Sequence, residues 1–198
     1  MTTMEYRVDV DHMVTRQSAY QILRGAARHG DDTNAELFAR MLASQRAGMG
    51  GMPERLGLSR RQYATLMGRY FPGIPVEEYG RGPALEVERA PEREDLRVLF
   101  IGSLPGLPRE EHYWIADIVI AGCMGGDHLW QDLGLWSRKD VSELLQHNFP
   151  QLAARNDRDM KWKKFLYKQL CNAEGVYTCR APSCEVCDDF QSCFGDED

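Results

Sequence analysis

The chain has 198 residues, enough for one well-formed hydrophobic core, and nothing in it demands a second. Its 30 acidic against 24 basic side chains give a formal charge of -6, which argues against general affinity for nucleic acid or acidic membrane surfaces. The longest apolar run, from Tyr113 to Met124, contains Asp117 and is too short to span a bilayer. Glu5, Arg7, Asp9 and Asp11 interrupt the N-terminus before an apolar leader could form, so a cytoplasmic protein is expected.

In chain order, the pattern is helix after helix. Residues 12–28 carry Met13, Tyr20, Ile22 and Leu23 among small residues and stop at His29-Gly30. Thr33 and Glu36 have capping-box spacing for a second helix, with Leu37, Phe38, Met41 and Leu42 on its core face. The segment GMGGMP at 48–53 breaks that helix and reads as a mobile turn whose methionines pack. Ser59 and Gln62 open a helix through Tyr70 that buries Tyr63, Leu66 and Met67, and Phe71-Pro72-Gly73 ends it. Residues 74–91 form a surface loop held by Ile74, Val76 and Tyr79.

A helix over 92–101 follows Pro91, with Leu96, Leu99 and Phe100 inward. Pro108 suits the first turn of the next helix, whose inward stripe is His112, Ile115, Ala116, Val119 and Cys123. Cys123 fits either a buried thiol or a group facing a metal site. After Gly125-Gly126 comes DHLWQDLGLW, in which His128 fits a metal ligand with Asp127 or Asp132 accepting its second ring proton, or a hydrogen-bonded core histidine. Trp130 and Trp136 wall a core or an interface. Ser137 and Asp140 cap a helix that buries Val141, Leu144 and Leu145; Asn148 and Asp157 have the character to cap the two that follow.

On the last long helix Trp162, Phe165, Leu166 and Gln169 share one face, and Lys161, Lys164 and Lys168 share another. That basic stripe, with Arg155, Arg158 and Lys163 nearby, either meets water or draws anions toward Cys171 and the segment beyond it. The expected fold is all-α: a helical domain over 1–175, with an irregular cysteine-rich segment over 176–198 packed on the last helices.

Cys179, Cys184, Cys187 and Cys193 follow the pattern C-x4-C-x2-C-x5-C, four of the six cysteines in the chain. Ionised thiolates this close repel one another unless a soft cation or an iron-sulfur core gathers them. Structural zinc sites usually join two close chelating pairs, whereas here only Cys184 and Cys187 make a CxxC pair, closer to a compact cluster-binding loop. Zinc and a disulfide-bonded tail remain as alternatives on spacing alone. No glycine-rich phosphate loop and no carboxylate pair around a histidine points to an enzyme.

The segments CMGGDHLWQDLGLWSR, FPQLAARNDRDMKWKKFLYKQLC and CRAPSCEVCDDFQSCFG resemble the signature blocks of the NifQ family of nitrogenase cofactor-assembly proteins. The resemblance is strong from Pro108 to Gly195 and looser before it, where LFARMLASQ and YFPG also look similar. It implies an iron-sulfur protein, not an enzyme, that acquires molybdenum and donates it for assembly of the iron-molybdenum cofactor of nitrogenase. The implied partners are the NifE-NifN scaffold and the nitrogenase Fe protein NifH, with molybdate or a molybdenum-sulfur species as the source. The family's cysteine motif falls on Cys179, Cys184, Cys187 and Cys193, and Cys171 and His128, inside the other blocks, become candidates for a supplementary ligand. A helical interaction module pinned by structural zinc is the alternative of a different class.

Overall fold

The computed structural model describes residues 15–84 and 92–174. Among these residues the regular structure is helical and no strand occurs, as the 3.6-residue stripes predict. The helices are α1 over 15–26, α2 Thr33–Arg46, α3 Arg60–Tyr70, α4 Arg93–Gly102, α5 Glu110–Cys123, α6 Leu129–Asp132, α7 Arg138–Asn148, α8 Pro150–Ala153 and α9 Trp162–Glu174. No helix among the described residues is long and apolar enough to cross a membrane. Met13, Pro91 and the four clustered cysteines lie outside the described residues, as does the expected packing of 176–198.

α5 is the axis of the core. Its sequence offers apolar or small residues on every side, and from Trp114 to Cys123 every residue is buried, Ile115, Ala116, Ile118, Val119 and Cys123 completely. The single inward stripe expected for it is therefore too narrow: α5 is enclosed by α4, α6 and the short 3-10 turn Glu54–Gly57. His112, expected inward, is only half-buried, and its ring Nδ1 accepts the Arg109 N–H at 3.0 Å. In α1 the core takes Ala19 and Leu23, whereas Ile22, expected among the apolar residues of that helix, is 55% exposed.

Two capping boxes stand where the sequence places them, at Ser59 with Gln62 and at Ser137 with Asp140. At α2 the cap shifts by one residue. Asp32 takes the position, its carboxylate accepting the Ala35 N–H at 3.0 Å, and Thr33 becomes the first helical residue. Glu36 is then released for other work: it pairs with Arg24 and Arg40 and accepts the Tyr20 hydroxyl at 2.7 Å. Pro108 precedes α5 instead of entering its first turn, since Arg109 is the N-cap. Asn148 does not cap α8. Its amide is buried in a reciprocal pair with Asn34, at 2.8 and 2.9 Å, and donates to Leu144 O. Asp157 does not cap α9, which opens only at Trp162; the intervening turn is held by Asn156, whose side chain accepts the Met160 N–H at 2.8 Å.

Three buried carboxylates give the helices their relative positions. Asp117 receives a forked guanidinium from Arg97 of α4, with Nε at 3.0 Å. Glu111 pairs with Arg69 of α3 at 3.0 Å, and Asp140 with Arg40 of α2 at 2.9 Å. Asp140 also accepts the Trp136 N–H at 2.9 Å and the Ser137 hydroxyl at 2.6 Å.

Burial pushes the Asp140 carboxyl up, but the hydrogen bonds from Ser137, Arg40 and the Trp136 N–H, with the Arg40 charge, outweigh it and hold the group below its ordinary value of 3.8. A depressed carboxyl stabilises the fold above its ordinary value, and that contribution is lost as pH falls through the folded one. Asp140→Ala is expected to cost about 2 to 4 kcal/mol at pH 7, through the lost cap and an unanswered Arg40. Denaturant titrations of both proteins should show the gap narrowing below about pH 4, as the wild-type carboxylate protonates.

Candidate functional site

The turn after α5, the short helix α6 and the last helix α9 are joined by one buried contact. Lys163 falls on the apolar side of α9, in the stripe it shares with Leu166 and Leu170, and is only 8% exposed. Its ammonium donates to Gly125 O at 2.8 Å and to the carboxylate of Asp132, itself 2% exposed. Asp132 also accepts the Asp127 N–H at 3.1 Å, and its backbone carbonyl accepts the Gly51 N–H at 2.9 Å. Burial drives the Asp132 carboxyl above the usual carboxylate range, and Lys163 with the Asp127 N–H oppose that rise.

The glycines around this contact are required by close approach. A Cβ on Gly125 would lie 2.2 Å from the Asp132 carboxylate, and one on Gly51 would lie 2.7 Å from it. The GMGG turn is fastened to α6 through its backbone, where the Gly51 N–H meets the Asp132 carbonyl. Lys163, grouped by sequence with the charges that would attract anions, is spent on this internal pair. Asp132, proposed as the acceptor for His128, is likewise committed to Lys163 and the Asp127 N–H. Sequence holds the signal for Lys163: a lysine in register with Leu166 and Leu170 is either buried and paired or misplaced.

Cys123 ends α5 beside this pair. It is fully buried, and burial pushes its thiol up to about 12, with the Lys163 charge opposing and Asp132 adding to the rise. At neutral pH it is a protonated core thiol, which settles its two sequence readings toward packing. His128 is half-buried at the N-cap of α6, with its backbone N–H donating to Gln131 Oε1 at 3.3 Å. Cys171 is buried on α9 and is disulfide-bonded in this structure. Lys161 and Lys164 are half-exposed and Lys168 exposed on the opposite side of α9 from Lys163, as the stripe predicts. Among the described residues no group of three or more His, Cys, Asp or Glu side chains is placed to hold a metal ion.

Between the GMGG turn and α6 lies a cleft of about 540 Å³, walled by Gly50, Gly51, Gly126, Trp130 and Gln131. Ser44 lines it with a buried hydroxyl that has no hydrogen-bond partner. Trp130 is thus a cleft wall. Trp136 is an interface residue, packed against Tyr20 at 4.8 Å between ring centroids and flanked by the Arg16 and Arg40 guanidinium groups at 4.9 and 5.3 Å.

The family model described as NifQ matches residues 37–195. The chain belongs to the NifQ family. It is 46% identical over 184 residues to Protein NifQ of Azotobacter vinelandii, covering 87% of this chain and 93% of that one. Protein NifQ of Rhodobacter capsulatus is 37% identical over 161 residues, 80% of this chain and 86% of its own. Protein NifQ of Klebsiella pneumoniae is 36% identical over 152 residues, 75% and 90% respectively. No solved structure matches the chain. The matched NifQ span takes in the GMGG turn, the Lys163–Asp132 contact and all four clustered cysteines.

In this NifQ-family chain Gly125→Ala should displace the Asp132 carboxylate from Lys163 and cost about 2 to 3 kcal/mol, the upper part of the overpacking range. Chemical unfolding at pH 7 measures it, and a loss within about 0.5 kcal/mol of zero would mean that the turn moves aside freely. Cys123 should resist alkylation in the native protein at pH 8 and react only on unfolding, which mass spectrometry of the labelled peptide reads directly.

Proposed function

We propose that this protein is an iron-sulfur molybdenum donor: it acquires molybdenum and delivers it for assembly of the nitrogenase iron-molybdenum cofactor. The observation that carries the reading is that the NifQ match runs to residue 195 and so includes Cys179, Cys184, Cys187 and Cys193. The donor set fits the group it would hold, since four thiolates are the usual ligands of an iron-sulfur cluster and soft enough for molybdenum once its oxygen ligands have been exchanged. A bound cluster would supply sulfide and redox-active iron. The chain's own part is to gather the thiolates at the end of α9, to draw an anionic molybdenum source along Lys161, Lys164 and Lys168, and to leave the cargo accessible for transfer. In this reading residues 1–175 are the frame and 176–198 the metal-handling segment, acting in the cytoplasm without substrate turnover. The partners are the NifE-NifN scaffold and NifH, and molybdate or a molybdenum-sulfur species is the substrate. His128 and Cys171 are the candidates for a further ligand on molybdenum, Cys171 in its reduced form.

Alanine at any one of the four clustered cysteines should remove most of the iron and labile sulfide from anaerobically reconstituted protein while leaving its helical circular dichroism intact. Normal iron and sulfide in all four single variants would refute the assignment, and stoichiometric zinc with neither would favour a structural metal. His128→Ala or Cys171→Ala should keep most iron but lose molybdenum, or its delivery to purified NifE-NifN, if that residue ligates the heterometal. Both metals are measured on the same reduced samples.

A further inference from the structure

A hollow of about 400 Å³ opens between the 3-10 turn Glu54–Gly57, the start of α3 and the loop over 76–82, and shares no residue with the cleft beside α6. Its two sides are tied together by the main chain: the Glu54 N–H donates to Pro83 O at 2.7 Å and the Arg55 N–H to Gly80 O at 2.6 Å. Arg55 and Leu56 both take left-handed backbone with φ of 55°, unfavourable outside glycine and held here by those bonds and by the complete burial of Leu56. Tyr63 and Tyr79 in the lining are buried and belong to the core. What the hollow presents to solvent is therefore mainly charge: Arg55 is 34% exposed, and Arg60 and Arg81 are exposed.

These cations are largely unspent on the fold. The Arg60 side chain makes no ion pair or hydrogen bond among the described residues, and neither does that of its exposed neighbour Arg61. Arg81 engages its Nε alone, donating to Glu77 O at 3.0 Å. Arg55 is answered by a fork to Glu54, with Nη1 at 2.7 Å. The first turn of α3 holds no acid, so Arg60 and Arg61 stand uncompensated at the positive end of the helix, where cations are unfavourable. The helix end itself is already capped by Ser59 with Gln62, so the open groups are the guanidiniums. Residues 46–81 carry six arginines against three glutamates, with no lysine or aspartate, in a chain whose formal charge is -6. This is a cationic surface on an acidic protein.

Guanidinium groups recognise carboxylates through paired N–H donors, with a geometry that an ammonium lacks. Arg61 lies outside the lining and carries the cationic surface past the hollow, so several carboxylates in a row are matched better than one small anion. Val76 adds a half-buried apolar contact, and Glu77 on the rim tempers the attraction, which suits reversible docking. We infer that Arg55, Arg60, Arg61 and Arg81 form a docking surface for an acidic segment of a partner protein. The inference does not rest on the molybdenum-donor reading, and the surface lies apart from the lysines of α9.

The test is fluorescence anisotropy of labelled hexaglutamate titrated with the full-length, metal-free protein in low-salt buffer at pH 7, with labelled hexaglutamine as the uncharged comparison. Saturable binding of hexaglutamate is expected, absent for hexaglutamine and weakening as salt is raised. The double change Arg60→Gln with Arg81→Gln should weaken it about tenfold. Arg60→Glu should also weaken it while leaving the thermal midpoint unchanged or higher, since an acid suits the first turn of α3; a loss of binding there is not a loss of fold. Lys164→Gln with Lys168→Gln measures any share that α9 takes, and the inference stands on the arginine variants whatever that share is. No saturable binding of hexaglutamate, or binding that the arginine variants leave within about twofold of wild type, overturns it. Displacement of the peptide by millimolar inorganic phosphate at constant ionic strength would make the hollow a small-anion site and overturn it as well. Iron and molybdenum are absent from this measurement, so the donor reading is tested separately.

Discussion

The Lys163–Asp132 pair is the constraint on which the arrangement of the C-terminal half depends. An ammonium and a carboxylate out of water are individually expensive, and their mutual attraction offsets that cost only when further hydrogen bonds complete both groups. Here they do: Gly125 O takes a second ammonium proton, and the Asp127 N–H supports the carboxylate. That completeness demands glycine at 51 and 125, where any side chain would strike the carboxylate. A loop, a short helix and the last helix are thus fixed by charge and hydrogen bonding where apolar packing alone would leave them free to slide.

This fastening bears on function through position. α9 is the element from which the chain proceeds to Cys179, and its buried side is held by Lys163, Trp162, Phe165 and Leu166, while Lys161, Lys164 and Lys168 remain on the accessible side. A metal carrier has to hold its cargo against loss yet surrender it to a partner. In the donor reading proposed above, ligands that follow a firmly anchored helix in the sequence would serve both needs. Cys123 stands apart from that stripe: it is fully buried at the end of α5, where burial pushes its thiol up.

Much of the frame was legible in the sequence because local chemistry decided it. The capping boxes at Ser59 and Ser137 and the stripes of α2, α3 and α7 are set by residues three or four apart. What escaped were the contacts between residues distant in sequence. Asp117 with Arg97, Glu111 with Arg69 and Asn34 with Asn148 look like surface polar residues until the helices are brought together. The all-round burial of α5 was hidden for the same reason, since periodicity finds one covered face and has no means of counting the neighbours on the others. Thr33 yielded to Asp32 as a cap because the charged acceptor one residue earlier is the stronger partner for a helix N-terminus. The four clustered cysteines stand out by donor type and spacing but lie outside the described residues, and the Lys163 lock could have been suspected from its apolar register but not assigned its partner.

A double-mutant cycle on Lys163 and Asp132 tests this account most directly, with Lys163→Met and Asp132→Leu made singly and together and unfolding measured at pH 7. Each single change leaves a buried charge unanswered and is expected to cost about 3 to 5 kcal/mol, while the double variant should cost little more than one of them, a coupling of about 3 kcal/mol. Additive losses, with a coupling below about 0.5 kcal/mol, would contradict the claim that this pair fastens α9 to the turn after α5.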